Sequence, residues 1–563
     1  MIVDLSSADL AELPAYDVAV VGSGPAGGTV AAELAGSGLR VCVLESGRFK
    51  RTRFADALKE VEFDGLPIKE YSRERVLGGA STTWAGLSAP LDPIDLAPRA
   101  WIGGAGWPIP AAELEEAWAA AAERFDFPRR SDLGPDGLEA LRDEGRETPR
   151  FEELEEKIFL ARADPQRFGK RLRPLYEGPD VDLYLDASVI ELETAPDRAG
   201  VTGTRLRTSG GRELSLRARA VVLACGGIEN ARLLLMSRGG GDTGLGNDHD
   251  QVGRCLMNHP KNYRGLIHLH EPVTSWPYMF GCLHRGFAGY AGLRLRESRQ
   301  RELEVLNSYV RFEPIFPWSD DEGVESAVLI AKRSALALKA LSGRSKKKVV
   351  ELRDYSETGD DTDLQNAHKS AADWVGVGWN VVRHAPSVAW YAYHRLSRVA
   401  PKVRTIRLRN FMEMEPHADN RVTLSERDDP FGRPLPHVHH HTTTLDRRSL
   451  IALHDALGPA LEAAGVGRLE SDLSSLAASG EAWPITRDAS HHLGTTRMGT
   501  DPRGSVCDPD GRVHGVPNLT CAGGSLFPTS GCANPTFTIV ALSIRIAARL
   551  RRELGAREEA PRT

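Results

Sequence analysis

Apolar and polar positions near the N-terminus follow the order strand, turn, helix, strand. Residues 17–21 form a short apolar run typical of a buried strand, and the glycine-rich turn 22–27 follows directly. The helical stretch 29–34 comes next, and a second apolar run, 39–44, ends at Glu45. The G-x-G-x-x-G spacing in this order predicts a dinucleotide-binding unit, whose turn approaches a pyrophosphate at a helix N-terminus. An acid at the end of the second strand favours a free ribose hydroxyl over a 2′-phosphate.

The hydrophobic pattern changes further along the chain. Residues 220–224 form another buried apolar run, and a glycine turn at 226–227 follows it. Residues 111–165 are predicted to be helical and are highly charged. Residues 261–480 differ again, because strand-like segments surround one long helical stretch. The strand-like segments are 261–270, 305–313, 404–414 and 420–425, and the helical stretch is 322–400.

Two segments near the C-terminus offer a base and an amide. The first contains adjacent histidines, His491 and His492, and the second contains Asn534 and Pro535 before an apolar helical stretch. A neutral histidine is a suitable base at neutral pH. Asn and Pro are favoured at the first positions of a helix, so Asn534 is predicted to be the N-cap and Pro535 the first helical residue. Capping is compatible with a substrate contact, because the amide has two polar atoms.

Composition and charge argue against several classes of function. The 563 residues include 71 Lys and Arg against 77 Asp and Glu, a net charge of −6, which does not favour nucleic acid or an anionic membrane as a partner. No apolar run of about 18 residues exists, so no membrane span is predicted. The seven cysteines are scattered without a C-x-x-C pair, and residues 1–16 lack an export signal, so we expect a cytoplasmic protein. The abundance of Arg and Ala suggests a bacterial source.

Six segments together resemble the glucose-methanol-choline (GMC) oxidoreductase family over nearly the whole chain. Because it has asparagine at position 534, the chain most resembles the branch of this family that contains pyranose oxidases and gluconate dehydrogenase-like enzymes. The resemblance implies an α/β fold, in which an FAD-binding Rossmann-like domain is joined to a discontinuous α+β substrate domain built on an antiparallel sheet. The six segments are 22–27, 78–84, 224–229, 253–260, 491–495 and 534–535.

The resemblance also implies how the chain is divided and which cofactor it holds. The FAD-binding domain is expected to comprise 1–110, 170–260 and 481–563, with the substrate-binding domain at 261–480 and a helical insertion at 111–169. FAD rather than NAD is expected in the dinucleotide site. Relatives with tethered FAD carry a histidine where this chain has Thr83, so the FAD is expected to be non-covalent. The residues expected to contact FAD are Gly22, Gly24, Gly27, Glu45, Gly78, Gly79, Ser81, Trp84, Val189, Gly226, Gly524, Ser525, Pro535 and Thr536.

Catalytic roles follow from the same resemblance. The family base is the first histidine of H-x-x-G-T, a pattern that matches His491, and His492 is expected to orient it. Asn534 stands where the family has either His or Asn. The expected reaction is oxidation of a CH–OH group, in which His491 takes the hydroxyl proton and flavin N5 takes the hydride. Oxygen or a small electron acceptor is then expected to reoxidise the flavin.

The expected substrate is a polyol or sugar, including a glycoside or an amino sugar of the kind that an aminoglycoside 6′-dehydrogenase oxidises. The acidic runs 320–322 and 360–361 could attract a cationic substrate. The alternatives are a sterol or aryl alcohol oxidase, and a hydroxynitrile lyase in which His491 acts while the flavin stays oxidised. The aromatic residues considered for sugar stacking are Trp276, Tyr278, Phe280, Trp374 and Trp379.

A cluster of histidines at 437–441 raises the question of a metal. Alternation along a strand places His437, His439 and His441 on one face. No carboxylate or cysteine accompanies them in the sequence, and metal sites with histidine usually include such ligands. The sequence therefore predicts an exposed strand end here, and no metal site.

Overall fold

The computed structural model describes residues 1–331, 371–479 and 490–555, together with position 483. The statements below concern these residues. Short gaps within the ranges fall at 9, 11, 70–71, 105, 143–147, 163, 275, 280–281, 285, 398 and 400.

The chain forms three sheets from nineteen described strands. In chain order these are β1 (Ile2–Asp4), β2 (Tyr16–Val21), β3 (Val41–Glu45), β4 (Glu62–Gly65), β5 (Leu154–Arg162), β6 (Val181–Leu185), β7 (Ser188–Thr194), β8 (Val201–Arg207), β9 (Glu213–Leu223), β10 (Lys261–Asn262), β11 (Leu266–Val273), β12 (Cys282–His284), β13 (Phe287–Leu295), β14 (Tyr309–Pro314), β15 (Val403–Phe411), β16 (Arg421–Asp428), β17 (Pro434–His440), β18 (Gly467–Glu470) and β19 (Leu519–Cys521).

The helices pack around these sheets, and residues 322–331 are also helical. The labelled helices are α1 (Pro25–Leu34), α2 (Arg53–Ala57), α3 (Pro93–Leu96), α4 (Ala111–Phe125), α5 (Pro135–Arg142), α6 (Phe168–Arg171), α7 (Arg173–Glu177), α8 (Gly227–Met236), α9 (Glu297–Leu303), α10 (Ala371–Arg383), α11 (Ala385–Ser397), α12 (Thr444–Ala463), α13 (Leu473–Ser479) and α14 (Thr536–Leu554). No described helix is long and apolar enough to cross a membrane.

The first sheet carries the predicted dinucleotide unit. Its strand order is β1-β6-β3-β2-β9-β8-β7, and β19 pairs with β9. The strands from β1 to β9 in this order, and β19, pair in parallel, whereas β7, β8 and the first half of β9 pair antiparallel. The central strands are continuous apolar runs, as expected for strands that are covered on both faces. The C-terminal helix α14 packs against α1, which joins the two ends of the chain at this sheet.

The second sheet is antiparallel and is built mainly from strands between residues 261 and 470, with β5 added from earlier in the chain. Its strand order is β12-β13-β14-β15-β11-β18, with β10 on β15 and β5 on β13. The α/β class with a Rossmann-like sheet and an antiparallel sheet is therefore confirmed. The sequence predicted a helical insertion over 111–169, but β5 is a strand in this region. Its charged residues form ion pairs, since Glu155 pairs at 2.7 Å with Arg294, its cross-strand neighbour.

The third sheet is small and connects distant parts of the sequence. β16 pairs antiparallel with β17, and β17 pairs in parallel with β4. Residues near position 64 therefore lie beside residues near position 439. The division of the chain into an FAD-binding domain and a substrate-binding domain stays a prediction.

Candidate active site

The glycine-rich turn after β2 is shaped by two close approaches and one open position. Gly22 has a φ of +102°, and a Cβ there would lie 2.6 Å from the carbonyl oxygen of Ala224. A Cβ on Gly27 would lie 2.0 Å from the carbonyl oxygen of Gly22. By contrast, a Cβ on Gly24, the N-cap of α1, would meet nothing within 4 Å. Gly22 and Gly27 therefore permit the tight turn, because a side chain at either position would clash with the backbone. Gly24 leaves open space in front of the N-terminus of α1.

Glu45 closes this turn at the end of β3. Its Oε2 accepts hydrogen bonds from the backbone N–H of Ser23 at 3.1 Å and from the Ser23 hydroxyl at 2.5 Å. Its Oε1 accepts one from the backbone N–H of Gly47 at 2.8 Å. Burial raises the pKa of Glu45, although these hydrogen bonds act in the opposite direction. The predicted ribose ligand thus also holds the turn in shape.

A cavity of about 670 Å³ extends from this turn to the two C-terminal segments. We call it the cofactor cavity. It brings together most of the residues that the sequence singled out. Those that line it are Gly22, Gly24, Glu45, Gly79, Ser81, Trp84, Val189, Gly226, Gly524, Pro535 and Thr536, with His491, His492 and Asn534 at the C-terminal end.

Three residues predicted to contact FAD do not line the cavity, but they contact residues next to it. Gly27 packs against the turn as described above. The backbone N–H of Gly78 donates to the Ser23 hydroxyl at 3.0 Å. The hydroxyl of Ser525 accepts a hydrogen bond from the Asn230 side chain at 2.9 Å, and both residues are fully buried. Gly27, Gly78 and Ser525 therefore affect the shape of the cavity indirectly, through the residues that they contact.

The described residues fit a flavin dinucleotide. Gly24 and Gly226 are the N-caps of α1 and α8, and a Cβ at either position would enter open space. Helix N-termini favour anions such as a pyrophosphate, because their N–H groups and dipoles point outward. The cavity volume also falls within the range of about 300–1,000 Å³ that is usual for ligand sites. Gly22, Glu45, Gly24 and Gly226 would hold the adenosine and pyrophosphate portion.

The ring of His491 forms a hydrogen bond with a second histidine that the sequence analysis did not assign a role. The Nδ1 atoms of His491 and His259 are 2.8 Å apart, and Nε2 of His259 is 2.8 Å from the carbonyl oxygen of Gly531. A carbonyl can only accept, so we assign the proton of His259 to Nε2. Burial lowers the pKa of His259, which keeps its ring neutral and leaves Nδ1 as an acceptor.

This chain of bonds assigns the tautomer of His491. Its Nδ1–H donates to His259, so Nε2 of a neutral His491 carries no proton and can accept one. His491 lines the cofactor cavity. The sequence predicts that His492 orients His491, but His259 forms the hydrogen bond to its ring. His492 lines the cavity as well, and a Cβ on Gly227 would lie 2.3 Å from its carbonyl oxygen.

One buried amide aligns both histidines. Oδ1 of Asn258 accepts from the backbone N–H of His491 at 3.0 Å and from that of His259 at 2.9 Å. Asn258 is fully buried. The family-like segment 253–260 could have pointed to this role, because it contains the Asn-His-Pro sequence.

Behind the histidines lies a buried ion pair. The carboxylate of Glu413 accepts two hydrogen bonds from Arg99, at 2.6 and 2.9 Å, and both side chains have no exposed surface. Glu413 also accepts from the backbone N–H of Gly531 at 3.1 Å. Burial alone would raise the pKa of Glu413, but the charge and hydrogen bonds of Arg99 lower it. The ion pair therefore holds Gly531, the residue whose carbonyl accepts from His259.

Asn534 occupies the cavity wall near these histidines and does not cap the helix. The N-cap of α14 is Pro535, so the helix starts at Thr536, one residue later than predicted. The Asn534 side chain forms no hydrogen bond with any described residue. It is partly exposed to the cavity, where its amide can contact a bound molecule.

The antiparallel sheet contributes positive charge to the other wall. Lys261, Arg311 and Arg409 all line the cavity. One carboxylate, Glu313, pairs with both guanidinium groups, and its distance to Arg409 is 3.3 Å. The Arg311 guanidinium lies 5.0 Å from the ring centre of Tyr290, which also lines the cavity. Glu313 itself does not line the cavity, so among the described residues this sheet adds three cations to the lining.

The described aromatic and acidic residues that the sequence suggested for substrate binding do not line the cofactor cavity. Trp276 and Tyr278 are buried in the second core, and Trp374 and Trp379 lie on α10 away from the cavity lining. Asp320 pairs with Arg407 at 2.5 Å, and Asp321 lies 3.1 Å from His384. Phe280 and residues 360–361 lie outside the described residues. The aromatic residues that do line the cavity are Trp84, Tyr290, Phe411 and Phe431.

Comparisons with known proteins match two separate parts of the chain to family models. Residues 416–543 match the family model described as GMC oxidoreductase, and residues 17–240 match the model described as FAD dependent oxidoreductase. The chain is 24% identical to paromamine 6′-oxidase of Streptomyces fradiae over 97% of this chain and 93% of that protein. Shorter matches include a C-glycoside 3-oxidase of Arthrobacter globiformis, 35% identical over 22% of this chain and 23% of that protein.

Solved structures share the fold. Formate oxidase of Aspergillus oryzae superposes with a TM-score of 0.55 and 16% identity, covering 97% of this chain and 99% of that one. Pyridoxine 4-oxidase of Mesorbium loti gives a TM-score of 0.52 and 16% identity, covering 95% of this chain and 99% of that one.

Proposed function

We propose, from the premise that this chain belongs to the GMC oxidoreductase family and uses FAD, that it oxidises a hydroxyl group of a sugar or glycoside. The observation that carries this proposal is the His259–His491 hydrogen bond at the end of the cavity that contains the dinucleotide turn. It supplies a base whose tautomer is set by His259, with Nε2 as the nitrogen that can accept a proton. When bound, the flavin supplies the acceptor for the hydride that leaves the alcohol carbon.

Residues of the chain remove the hydroxyl proton of the substrate and hold the hydroxyl group in place. His491 accepts the hydroxyl proton at Nε2 and becomes an imidazolium, whose Nδ1–H still donates to neutral His259. The amide of Asn534 donates to the substrate oxygen and orients the hydroxyl. The N-terminus of α14 adds a positive potential at this end of the cavity, of a kind usually worth about 0.3–1 kcal/mol for a nearby negative charge.

The substrate class is argued from the relatives and from the charges of the cavity. Relatives are named for oxidation of paromamine, C-glycosides and pyranoses, which are all polyhydroxylated. An amino sugar is the second candidate, because another relative is named 6‴-hydroxyparomomycin C oxidase. The cations Lys261, Arg311 and Arg409 favour a neutral or acidic sugar over a polyamine.

Anaerobic addition of a substrate panel tests this function. The panel contains pyranoses, a C-glycoside, paromamine, an aryl alcohol, a sterol and a cyanohydrin. We expect the yellow flavin absorbance to bleach with a sugar or glycoside. Bleaching only with the aryl alcohol or sterol would contradict the substrate class. Cleavage of the cyanohydrin without bleaching would identify a hydroxynitrile lyase.

FAD is held without a covalent bond in this proposal. Thr83 lines the cavity at the position where tethered relatives carry histidine. Acid precipitation should therefore release all flavin into the supernatant. Flavin that stays with the pellet after washing would contradict this part of the proposal.

A further inference from the structure

The third sheet brings a carboxylate to the histidine run that the sequence analysis set aside. β17 pairs in parallel with β4, and the register places His439 opposite Asp64. The reason for predicting no metal site was the absence of a nearby carboxylate in the sequence, and this reason does not hold in the fold. We propose that Asp64, His437 and His439 bind one divalent transition-metal ion.

The three ligand atoms already lie close to one another. Oδ2 of Asp64 is 3.1 Å from Nε2 of His437 and 2.8 Å from Nδ1 of His439, and all three atoms lie within 4.8 Å of each other. In a tetrahedral zinc site with metal–ligand bonds of about 2.0–2.2 Å, neighbouring ligand atoms are about 3.3 Å apart. Only small side-chain movements are needed to place one ion at bonding distance from all three.

Neighbouring groups restrict which atoms can act as ligands. Thr423 approaches the other ring nitrogen of His439, Nε2, at 3.3 Å, which holds the ring so that Nδ1 stays towards Asp64. The nearby acid Glu62 is occupied by Arg427 at 3.2 Å and by the Ser425 hydroxyl. Glu62 therefore forms part of a separate ion pair.

The surroundings suit an ion that arrives from solution. The side chains of His437 and His439 are 29% and 32% exposed, and that of Asp64 is 51% exposed. Three protein ligands leave one or more positions for water. Two imidazoles and one carboxylate suit Zn²⁺, Co²⁺, Ni²⁺ or Cu²⁺ better than Mg²⁺ or Ca²⁺, which prefer oxygen ligands.

The site is distinct from the cofactor cavity. None of its three ligands lines the cavity among the described residues. It joins β4, close to the N-terminal dinucleotide unit, to β17 in the second half of the chain. A bound ion would thus cross-link two distant segments, and its effect does not depend on the proposed oxidation chemistry.

Metal titration of the untagged, FAD-loaded protein after removal of metals with a chelator tests the site. Calorimetry with Zn²⁺ at pH 7.5 should show one equivalent bound with a Kd of micromolar order, and Co²⁺ should give visible absorption bands once the flavin spectrum is subtracted. His439→Gln and Asp64→Asn should each weaken Zn²⁺ binding at least about tenfold, and Thr423→Val should weaken it less.

His417→Gln is the matched control, because His417 lies 3.9 Å from Asp419 on the surface without a second histidine in that pair. It should leave Zn²⁺ binding unchanged. Flavin content and unfolding temperature without metal show whether each variant is folded. If a folded His437→Gln, His439→Gln double variant binds Zn²⁺ as tightly as the wild type, or if the wild type binds no equivalent below about 100 μM, the proposal is wrong.

Discussion

Two pairs of histidines in this protein differ in burial and in the atom that each pair contacts. The pair that we call the buried pair consists of His259, which is buried, and His491, which is partly exposed to the cavity, and it ends at a backbone carbonyl. The pair that we call the exposed pair, His437 and His439, has side chains that are 29% and 32% exposed, and it meets the half-exposed carboxylate of Asp64. A carbonyl accepts a hydrogen bond from a neutral ring and assigns its tautomer, whereas a carboxylate attracts a cation, whether a proton or a metal ion.

The difference shows that histidine chemistry is decided by the partner and the surroundings. Burial lowers the pKa of His259, so its ring stays neutral and accepts the hydrogen bond from His491, whose Nε2 can receive a proton from a substrate. The exposed pair has water and a negative charge beside it, so a cation can be accommodated there.

The largest effect is expected from removal of the base. His491→Ala should retain FAD but slow flavin reduction by about 10²–10⁴, the usual contribution of a general base. His492→Ala should cost less, and His417→Gln should change the rate by less than about twofold, as for a surface substitution. Anaerobic stopped-flow absorbance measures all three rates. A larger loss in His492→Ala than in His491→Ala would show that the wrong histidine was assigned as the base.

The next largest effect concerns the partner of the base. His259→Ala should slow flavin reduction by about 10–10³, because His491 then loses the acceptor that keeps its proton on Nδ1. His259→Gln offers a carbonyl acceptor and should recover part of the rate. The same stopped-flow assay, with flavin content as the folding control, makes the measurement. Equal rates for the Ala and Gln variants would contradict the tautomer assignment.

Substitution of Glu45, at the end of β3, should weaken the binding of FAD. Glu45→Ala removes the acceptor of three hydrogen bonds in the dinucleotide turn, so the Kd for FAD should rise at least about tenfold, as expected for lost charge-assisted bonds. Substrate preference should not change. Fluorescence titration of the apoprotein gives the Kd, with Glu177→Ala, which removes an exposed partner of Arg173, as the control. Equal FAD affinity in both variants would exclude this role.

Protonation of His259 should lower the stability of the folded protein in acid. The pKa of His259 in the folded state is below the ordinary value of 6.5, so between these values the unfolded chain binds the extra proton. The free energy of unfolding should therefore fall as the pH drops below about 6.5. The unfolding equilibrium constant should change by at most about tenfold per pH unit. Urea unfolding at several pH values should show a smaller slope for His259→Ala, and an unchanged slope would be inconsistent with this account.

The smallest effect is expected from salt. The cavity wall carries Lys261, Arg311 and Arg409, so a polyamine sugar should be repelled at low ionic strength. Its kcat/KM should rise by about two- to fivefold as the Debye length shrinks from about 30 to 8 Å, while that of a neutral sugar should not change. Steady-state assays with both substrates test this. A fall for the polyamine would indicate that acidic groups dominate its binding.

The parts of the fold that were predictable depend on residues close in sequence. The turn 22–27 and Glu45 belong to one strand–turn–helix–strand unit, so spacing alone predicted that they lie together. The helix start after Asn534 was placed one residue early, because capping preference does not define a boundary that closely. Strand β5 was missed, because its charges resemble an exposed helix until Arg294 is placed beside Glu155.

The parts that were not predictable depend on contacts between distant residues. His259 and His491 are 232 positions apart, and only the fold shows that their rings meet. Asp64 and His439 are joined by a parallel pairing between β4 and β17 that neither local pattern indicates. In both cases the residue types were visible in the sequence, and the partner that determines their chemistry was not.

A double-mutant cycle on the buried pair tests the central claim most directly. The claim is that His259 and His491 act as one unit in removing the hydroxyl proton. The rate of anaerobic flavin reduction is measured for the wild type, His259→Ala, His491→Ala and the double variant. The account predicts that the double variant is no slower than His491→Ala, within about threefold, because His259 acts only through His491. A double variant slowed by the product of the two single effects would contradict it.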